Sequence, residues 1–213
     1  MVILITGFEP FGNDEINPSY EAVKRIRQDN SGHQIIKACL PVVFHRSLEV
    51  LYELIEEHKP DLVLCVGQAG GRTHMTIERI GINLDDARIP DNAGNSPVDQ
   101  VILPDGSDGY FSNLPIKAMA YEMNAKGIPA SISNSAGTYV CNHIFYGLMY
   151  YIHEKNPHIK GGFIHVPYIP SQTTLYPNSA SMHLDDIVLG LEIAITAACE
   201  YKRDLKISHG TTC

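Results

Sequence analysis

Three side chains stand against apolar surroundings in this sequence: Cys141 in SNSAGTYVCNHIF, His165 in GGFIHVPYIP and Glu78 in THMTIERIGINL. Their types form a nucleophilic set, in which a thiolate attacks, an imidazole moves the proton and a carboxylate orients the imidazole. Cys141 follows a small polar loop through Ala136 and Gly137. With Thr138 as helix cap, the thiol falls in a first turn, where unpaired N–H groups and the helix dipole favour negative charge. That placement is expected to lower the thiol pKa, and the same N–H groups could hold a developing oxyanion. Packing is the alternative, because Val140, Ile144, Phe145, Leu148, Met149 and Ile152 make the helix apolar nearly all round, and a small buried cysteine is ordinary there. His143, two residues on, is turned roughly 200° from Cys141 and is a poor partner. Cys65, inside an apolar strand, reads as inert packing.

Glu78 falls in a stretch, Met75 to Leu84, that alternates as a strand, which puts it on one face with Thr76, Ile80, Ile82 and Leu84. A carboxylate there is costly to bury unless paired. A strand-end salt bridge, with neighbours of Arg79 or with Arg88, is the structural alternative. His165 stands before Val166-Pro167, at or near the carboxyl end of a short strand; a core histidine bonded to backbone is the alternative there.

The elements that must position these residues alternate strand and helix. Strands are expected over Val2 to Thr6, Ile35 to Val43 (bent or ended by Pro41), Leu62 to Val66, Met75 to Leu84, Ile128 to Ser133 and Phe163 to Val166. Helices are expected over Pro18 to Arg27 with Asn17 as cap, Arg46 to Glu57, Ile116 to Lys126, Tyr139 to Glu154 and Leu184 to Lys202. The Pro-, Gly-, Asn- and Asp-rich stretch from Pro90 to Ser107 reads as a long loop. Strand-then-helix units predict a single three-layer α/β/α domain over 1–206, with a twisted, mostly parallel central sheet and helices on both faces. Residues 207–213 read as a polar tail. Sites in such folds gather at the carboxyl ends of strands.

The 213 residues suffice for one domain with a proper core, and 44% hydrophobic with 19% charged residues is a globular balance. A formal net charge of −8 without a basic cluster argues against nucleic acid as a partner. No apolar run reaches the ~18 residues of a membrane span. The opening VILIT lacks the basic leader of a signal peptide, so a cytoplasmic setting is expected. Cys39, Cys65, Cys141, Cys199 and Cys213 are odd in number and widely spaced, with no CxxC, and read as thiols. Neither HExxH nor clustered Cys/His spacing suggests a metal, and no cofactor is expected.

The text around the three residues is more specific. GFEPFG with the following NPS, GRTHMTIERIGIN with DARIPDNAG, SNSAGTYVCNHIFY and FIHVPY resemble, in order, the signature blocks of pyroglutamyl peptidase type I, a cysteine peptidase family. The resemblance runs from Val2 to about Gln172. It implies removal of an N-terminal pyroglutamyl residue from peptides through an acyl-enzyme, with Cys141 as nucleophile, His165 as general base and then acid, and Glu78 orienting His165. It also implies that Phe8 and Phe11 sandwich the lactam ring, that Gln68, Val140 and Asn17 line the pocket, that Arg88 lies near the oxyanion, and that the chain forms homo-oligomers, commonly tetramers. Two departures are visible: Gly81 stands where the family commonly has Ala, and Asn13 where it commonly has the second glycine of FGG.

The chemistry suits such a substrate. Pyroglutamate has no charged amine, and its flat ring carries one N–H donor and one C=O acceptor; two phenylalanines offer apolar faces to it. An ordinary N-terminal residue would bring an unpartnered ammonium into that pocket, at a cost of several kcal/mol by order of magnitude. Phe8 and Phe11 as plain core aromatics, and Gln68-Ala-Gly-Gly as a mere tight turn, are the structural alternatives. Two other functions fit an α/β domain. One is a nucleoside phosphorylase-like enzyme using GQAGGR to cradle phosphate; the other is a non-catalytic binding module.

Overall fold

A computed structural model describes residues 1–27 and 32–210. Six strands form one sheet: β1 (Val2–Phe8), β2 (Gln34–Leu40), β3 (Leu62–Gln68), β4 (Met75–Glu78), β7 (Ala130–Ser133) and β8 (Lys160–Val166), in the order β2-β1-β3-β8-β4-β7. All neighbours are parallel except β4 and β8, which pair antiparallel. A second, two-stranded antiparallel sheet joins β5 (Ile80–Ile82) to β6 (Gly109–Phe111). The helices are α1 (Pro18–Arg25), α2 (Arg46–His58), α3 (Ile116–Ala125), α4 (Val140–Glu154), the short α5 (Pro170–Thr173) and α6 (Leu184–Glu200).

Alternation along the strands sends side chains to two cores. Ile3, Leu64 and Ile164 meet α1, α3 and α6 on one face, while Leu4, Val63 and Phe163 meet α2 and α4 on the other. The expected mixed, mostly parallel sheet covered on both faces is therefore the observed architecture.

Local differences have physical reasons. The expected strand Met75 to Leu84 breaks at Arg79, whose N–H goes to Ser133 O at 2.8 Å while its Nε reaches Asn134 Oδ1 at 2.7 Å. Ile80 and Ile82 thus leave the main sheet, and of the expected face only Thr76 stays beside Glu78 on β4. β8 starts at Lys160, earlier than Phe163, and includes the Gly161–Gly162 pair. A Cβ at Gly161 would come within 2.3 Å of Ile152 Cδ1, so the missing side chain lets α4 lie close to the strand. Gly81 is similarly pressed against α4, where a Cβ would be 2.8 Å from the Tyr146 nitrogen. α1 ends at Arg25 and α6 at Glu200, each two residues before the expected end. Residues 207–210 form no regular element, although Lys117 Nζ donates to Ile207 O at 2.7 Å. Residues 211–213, with Cys213, lie outside the described residues.

Candidate active site

β3, β8 and β4 carry one row of residues across the sheet: Gly67 beside His165, and His165 beside Thr76. His165 is the penultimate residue of β8, at the carboxyl end where the sequence puts it. Its side chain lies on the same sheet face as Phe163, toward α4. Glu78 is two residues beyond Thr76 and hence on that face too. Its Oε1 accepts from His165 Nδ1 at 2.7 Å. Both residues are buried, Glu78 completely and His165 to 3% exposure.

Cys141 is the second residue of α4. Its sulfur rests over Gly67, since a Cβ on that glycine would lie 2.8 Å from Sγ and 2.7 Å from Phe163 Cζ. Neighbouring strands lie about 4.8 Å apart, so a sulfur seated on Gly67 is one strand from His165. Cys141 and His165 line one cavity of about 150 Å³. Thr138 does not cap the helix: the cap position is Tyr139, which makes no side-chain cap bond, and the Thr138 hydroxyl donates to Asp86 O at 2.7 Å. The first-turn placement survives this shift, and the N–H groups of Val140, Cys141 and Asn142 have no partner within the helix. Gly137, at φ +81°, supplies the left-handed turn that leads into it.

The same cavity is lined by Phe8, Phe11, Asn17, Gln68 and Val140. Phe8 is also a core residue, tilted against Phe163, whereas Phe11 is half-buried against Tyr139. Asn17 does cap α1, with Oδ1 accepting from Ser19 N at 3.1 Å, while Nδ2 donates to Glu9 O at 2.9 Å. Gln68 is held at both ends: Nε2 donates to Asp14 Oδ2 at 2.9 Å and Oε1 accepts from Gln172 Nε2 at 2.9 Å. A carboxylate only accepts, so Asp14 fixes which end of that amide is which. Arg88 is exposed and does not line the cavity. Its flanking segment is tied to the loop before Cys141, by Asp86 N to Thr138 O at 2.9 Å, and to Pro97 O by Ala87 N at 2.8 Å.

Residue reasoning missed Val42, Ala136 and Tyr139, which complete the wall, and Arg72, which donates from Nη1 to Glu78 Oε1 at 2.6 Å. The signal for Arg72 was the glycine pair before it. Gly70 has no room for a Cβ under the Tyr168 ring, and Gly71 takes φ +88°, which turns the chain so that Arg72 returns over β4. The loop GQAGGR thus delivers an arginine to a carboxylate. His143 is excluded as a partner of Cys141 by its own bonds: Nδ1 meets Asp85 Oδ2 at 2.7 Å and Nε2 accepts from His45 N at 3.0 Å.

The charges sort themselves by burial and contact. Burial alone would raise the Glu78 carboxyl, but the bond and charge of His165, the nearby Ser133 hydroxyl and the Arg72 cation together hold it below its ordinary value. Burial lowers His165, against the opposing pull of Glu78 and with help from Arg72. Glu78 is then an anion and His165 neutral near pH 7. Nδ1 must carry the proton to the carboxylate, and Nε2 is left as a base. Burial pushes the Cys141 thiol up to about 12, with Glu78 adding and Arg72 opposing. The residue keeps partial exposure to the cleft, but its sulfur is packed over Gly67 and Phe163. Desolvation is the largest cause, and the direction is opposite to the expected depression.

A thiol, a neutral imidazole and a buried carboxylate around one cleft of a three-layer α/β fold define a cysteine-type hydrolase architecture. The family model described as pyroglutamyl peptidase matches residues 1–201. The pyrrolidone-carboxylate peptidase of Clostridium botulinum is 54% identical over 213 residues, covering all of both chains. That of Thermosipho africanus is 57% identical over 204 residues, covering 96% of this chain and all of its own. The crystal structure of pyroglutamyl peptidase I from Bacillus amyloliquefaciens superposes with a TM-score of 0.94 at 49% identity, covering 97% of this chain and 99% of that one. This chain belongs to the pyroglutamyl peptidase family, whose members are cysteine-type omega peptidases. Membership decides against the phosphorylase-like and non-catalytic readings. Among the described residues no helix is long and apolar enough to cross a membrane.

Proposed function

We propose that this peptidase removes N-terminal pyroglutamyl residues with Cys141 as nucleophile, His165 as proton carrier and Glu78 as the group that orients it. In the resting site the thiol keeps its proton. As Sγ attacks the pyroglutamyl carbonyl carbon, that proton passes to His165 Nε2, and Glu78 stabilises the imidazolium formed. The carbonyl oxygen, now an oxyanion, takes hydrogen bonds from the first N–H groups of α4. The imidazolium gives its proton to the leaving amine as the C–N bond breaks, leaving a thioester. Water, deprotonated by His165, then attacks the thioester, and free pyroglutamate leaves as the thiol is restored. Phe8 and Phe11 take the ring faces, and the fixed amide of Gln68 offers one N–H and one lone pair to the lactam edge.

The observation that carries this reading is the 2.7 Å bond between His165 Nδ1 and Glu78 Oε1 beside the cleft that Cys141 shares. The same reading takes the enzyme as metal-free, cytoplasmic and a homo-oligomer, a tetramer by resemblance to its family. Fluorophore release from a pyroglutamyl amide tests it: alkylation and Cys141→Ser should each abolish release, and activity surviving both would remove Cys141 from the mechanism.

A further inference from the structure

We infer that Arg72 is a positioning residue of the peptidase reaction, a clamp that ties the carboxylate behind His165 to the loop that presents Cys141. The inference rests on the triad reading above. Arg72 makes three contacts with two separate segments, two on β4 and one on the loop before α4. Nη1 donates to Glu78 Oε1 at 2.6 Å and also to the Thr76 hydroxyl, while Nη2 donates to Ser135 O at 3.3 Å. Thr76 pairs with His165 across the ladder, and Ser135 belongs to the loop between β7 and α4. One planar, permanently charged fork therefore spans the strand of the carboxylate and the approach to the nucleophile.

Two consequences follow, and they are separable. The first is electrostatic. Glu78 Oε1 is shared between His165 Nδ1 and Arg72 Nη1, so the cation draws on the same lone-pair density that would stabilise an imidazolium. Arg72 thus keeps His165 less basic than Glu78 alone would make it, and lowers the pH at which the free base is available. The second is geometric. The bond to Ser135 O, with Ser135 followed closely by the left-handed Gly137, holds the loop that sets the first turn of α4. A loosened loop moves Sγ and the oxyanion N–H groups together, and a misplacement of about 1 Å can cost on the order of 10²-fold in rate.

The test compares Arg72→Gln, Arg72→Lys and Arg72→Ala with the parent and with Cys141→Ser, using pH profiles of kcat and kcat/KM for a pyroglutamyl amide. Arg72→Gln should lower kcat by roughly ten- to 10²-fold, change KM little, and move the acid limb of kcat/KM to higher pH. Arg72→Lys keeps the charge without the fork, so it should lower kcat while leaving the acid limb near the parent's. Added guanidinium ion should restore part of the activity of Arg72→Ala, because the site is part-exposed. A parent-like kcat and acid limb in Arg72→Gln, or activity loss in all variants without limb shift or guanidinium rescue, would overturn the clamp. Loss of activity in Cys141→Ser alongside either result leaves the triad reading standing. Full activity in Cys141→Ser would fail that reading instead.

Discussion

Glu78 and His165 meet at 2.7 Å across 87 residues of chain because β4 runs antiparallel to β8 within a mostly parallel sheet. That one reversal sets Thr76 opposite His165 and leaves Glu78 diagonal to the imidazole on the same face. A carboxylate in that place is both anchor and counter-charge. Replacing it with Gln keeps the shape but permits the wrong tautomer of His165 and takes the negative charge away from Arg72. Glu78→Gln should lower kcat/KM by about 10²- to 10⁴-fold, measured by steady-state kinetics on a folded variant.

Two groups set the pH response, and their signs agree. His165 is lowered, so its free base persists below the ordinary value of about 6.5, and the acid limb of kcat/KM should lie below that pH. For stability, Glu78 is also lowered: its contribution is complete above its unfolded value and is lost as pH falls through its folded one. His165, buried neutral, weakens the fold as pH drops below its unfolded value, because the unfolded chain binds that proton first. Urea midpoints should therefore fall steadily from neutral pH downward.

Gly67 makes room for the Cys141 sulfur. A Cβ there would meet Cys141 Sγ at 2.8 Å and Phe163 Cζ at 2.7 Å. Gly67→Ala should push the thiol or the ring aside and reduce kcat by roughly 10²-fold. Both obstructing groups are side-chain ends, so circular dichroism should report an intact fold.

The two pocket phenylalanines should separate by burial. Phe8 is 2% exposed within the core, and Phe8→Ala should cost about 3–5 kcal/mol of stability as well as activity. Phe11 is half-buried against Tyr139, so Phe11→Ala should mainly raise KM with a small change in Tm.

The His143–Asp85 pair has the same bond length as the His165–Glu78 pair but joins α4 to the segment after β5 and to the start of α2. Replacing one partner strands a buried polar group, so His143→Leu should cost about 1–3 kcal/mol. The pH profile of its remaining activity should match the parent's.

Much of this site was legible in the sequence because each piece has a local signature. Pro18 after Asn17 marked a helix start, the glycines and prolines bounded the strands, and His165 stood visibly at a strand end. Period-two reasoning put Glu78 on one face with Thr76 but carried that face too far, on to Ile80, Ile82 and Leu84. The break at Arg79 depends on Ser133 and Asn134, 54 and 55 residues further on, which no local pattern reports. Arg72 escaped for the same reason: its glycines announce a turn, but not the carboxylate at the end of it. The raised thiol of Cys141 is the third such case. A first-turn position is readable locally, whereas burial over Gly67 and Phe163 is tertiary.

The covalent intermediate tests the account most directly. A slowly deacylating pyroglutamyl ester, mixed with enzyme and quenched in acid, should add one pyroglutamyl group to the intact protein by mass spectrometry. Peptide mapping should locate it on Cys141, with none on Cys39, Cys65 or Cys199 and none in Cys141→Ala. A pyroglutamyl group on any other residue, or turnover without one, would contradict the account.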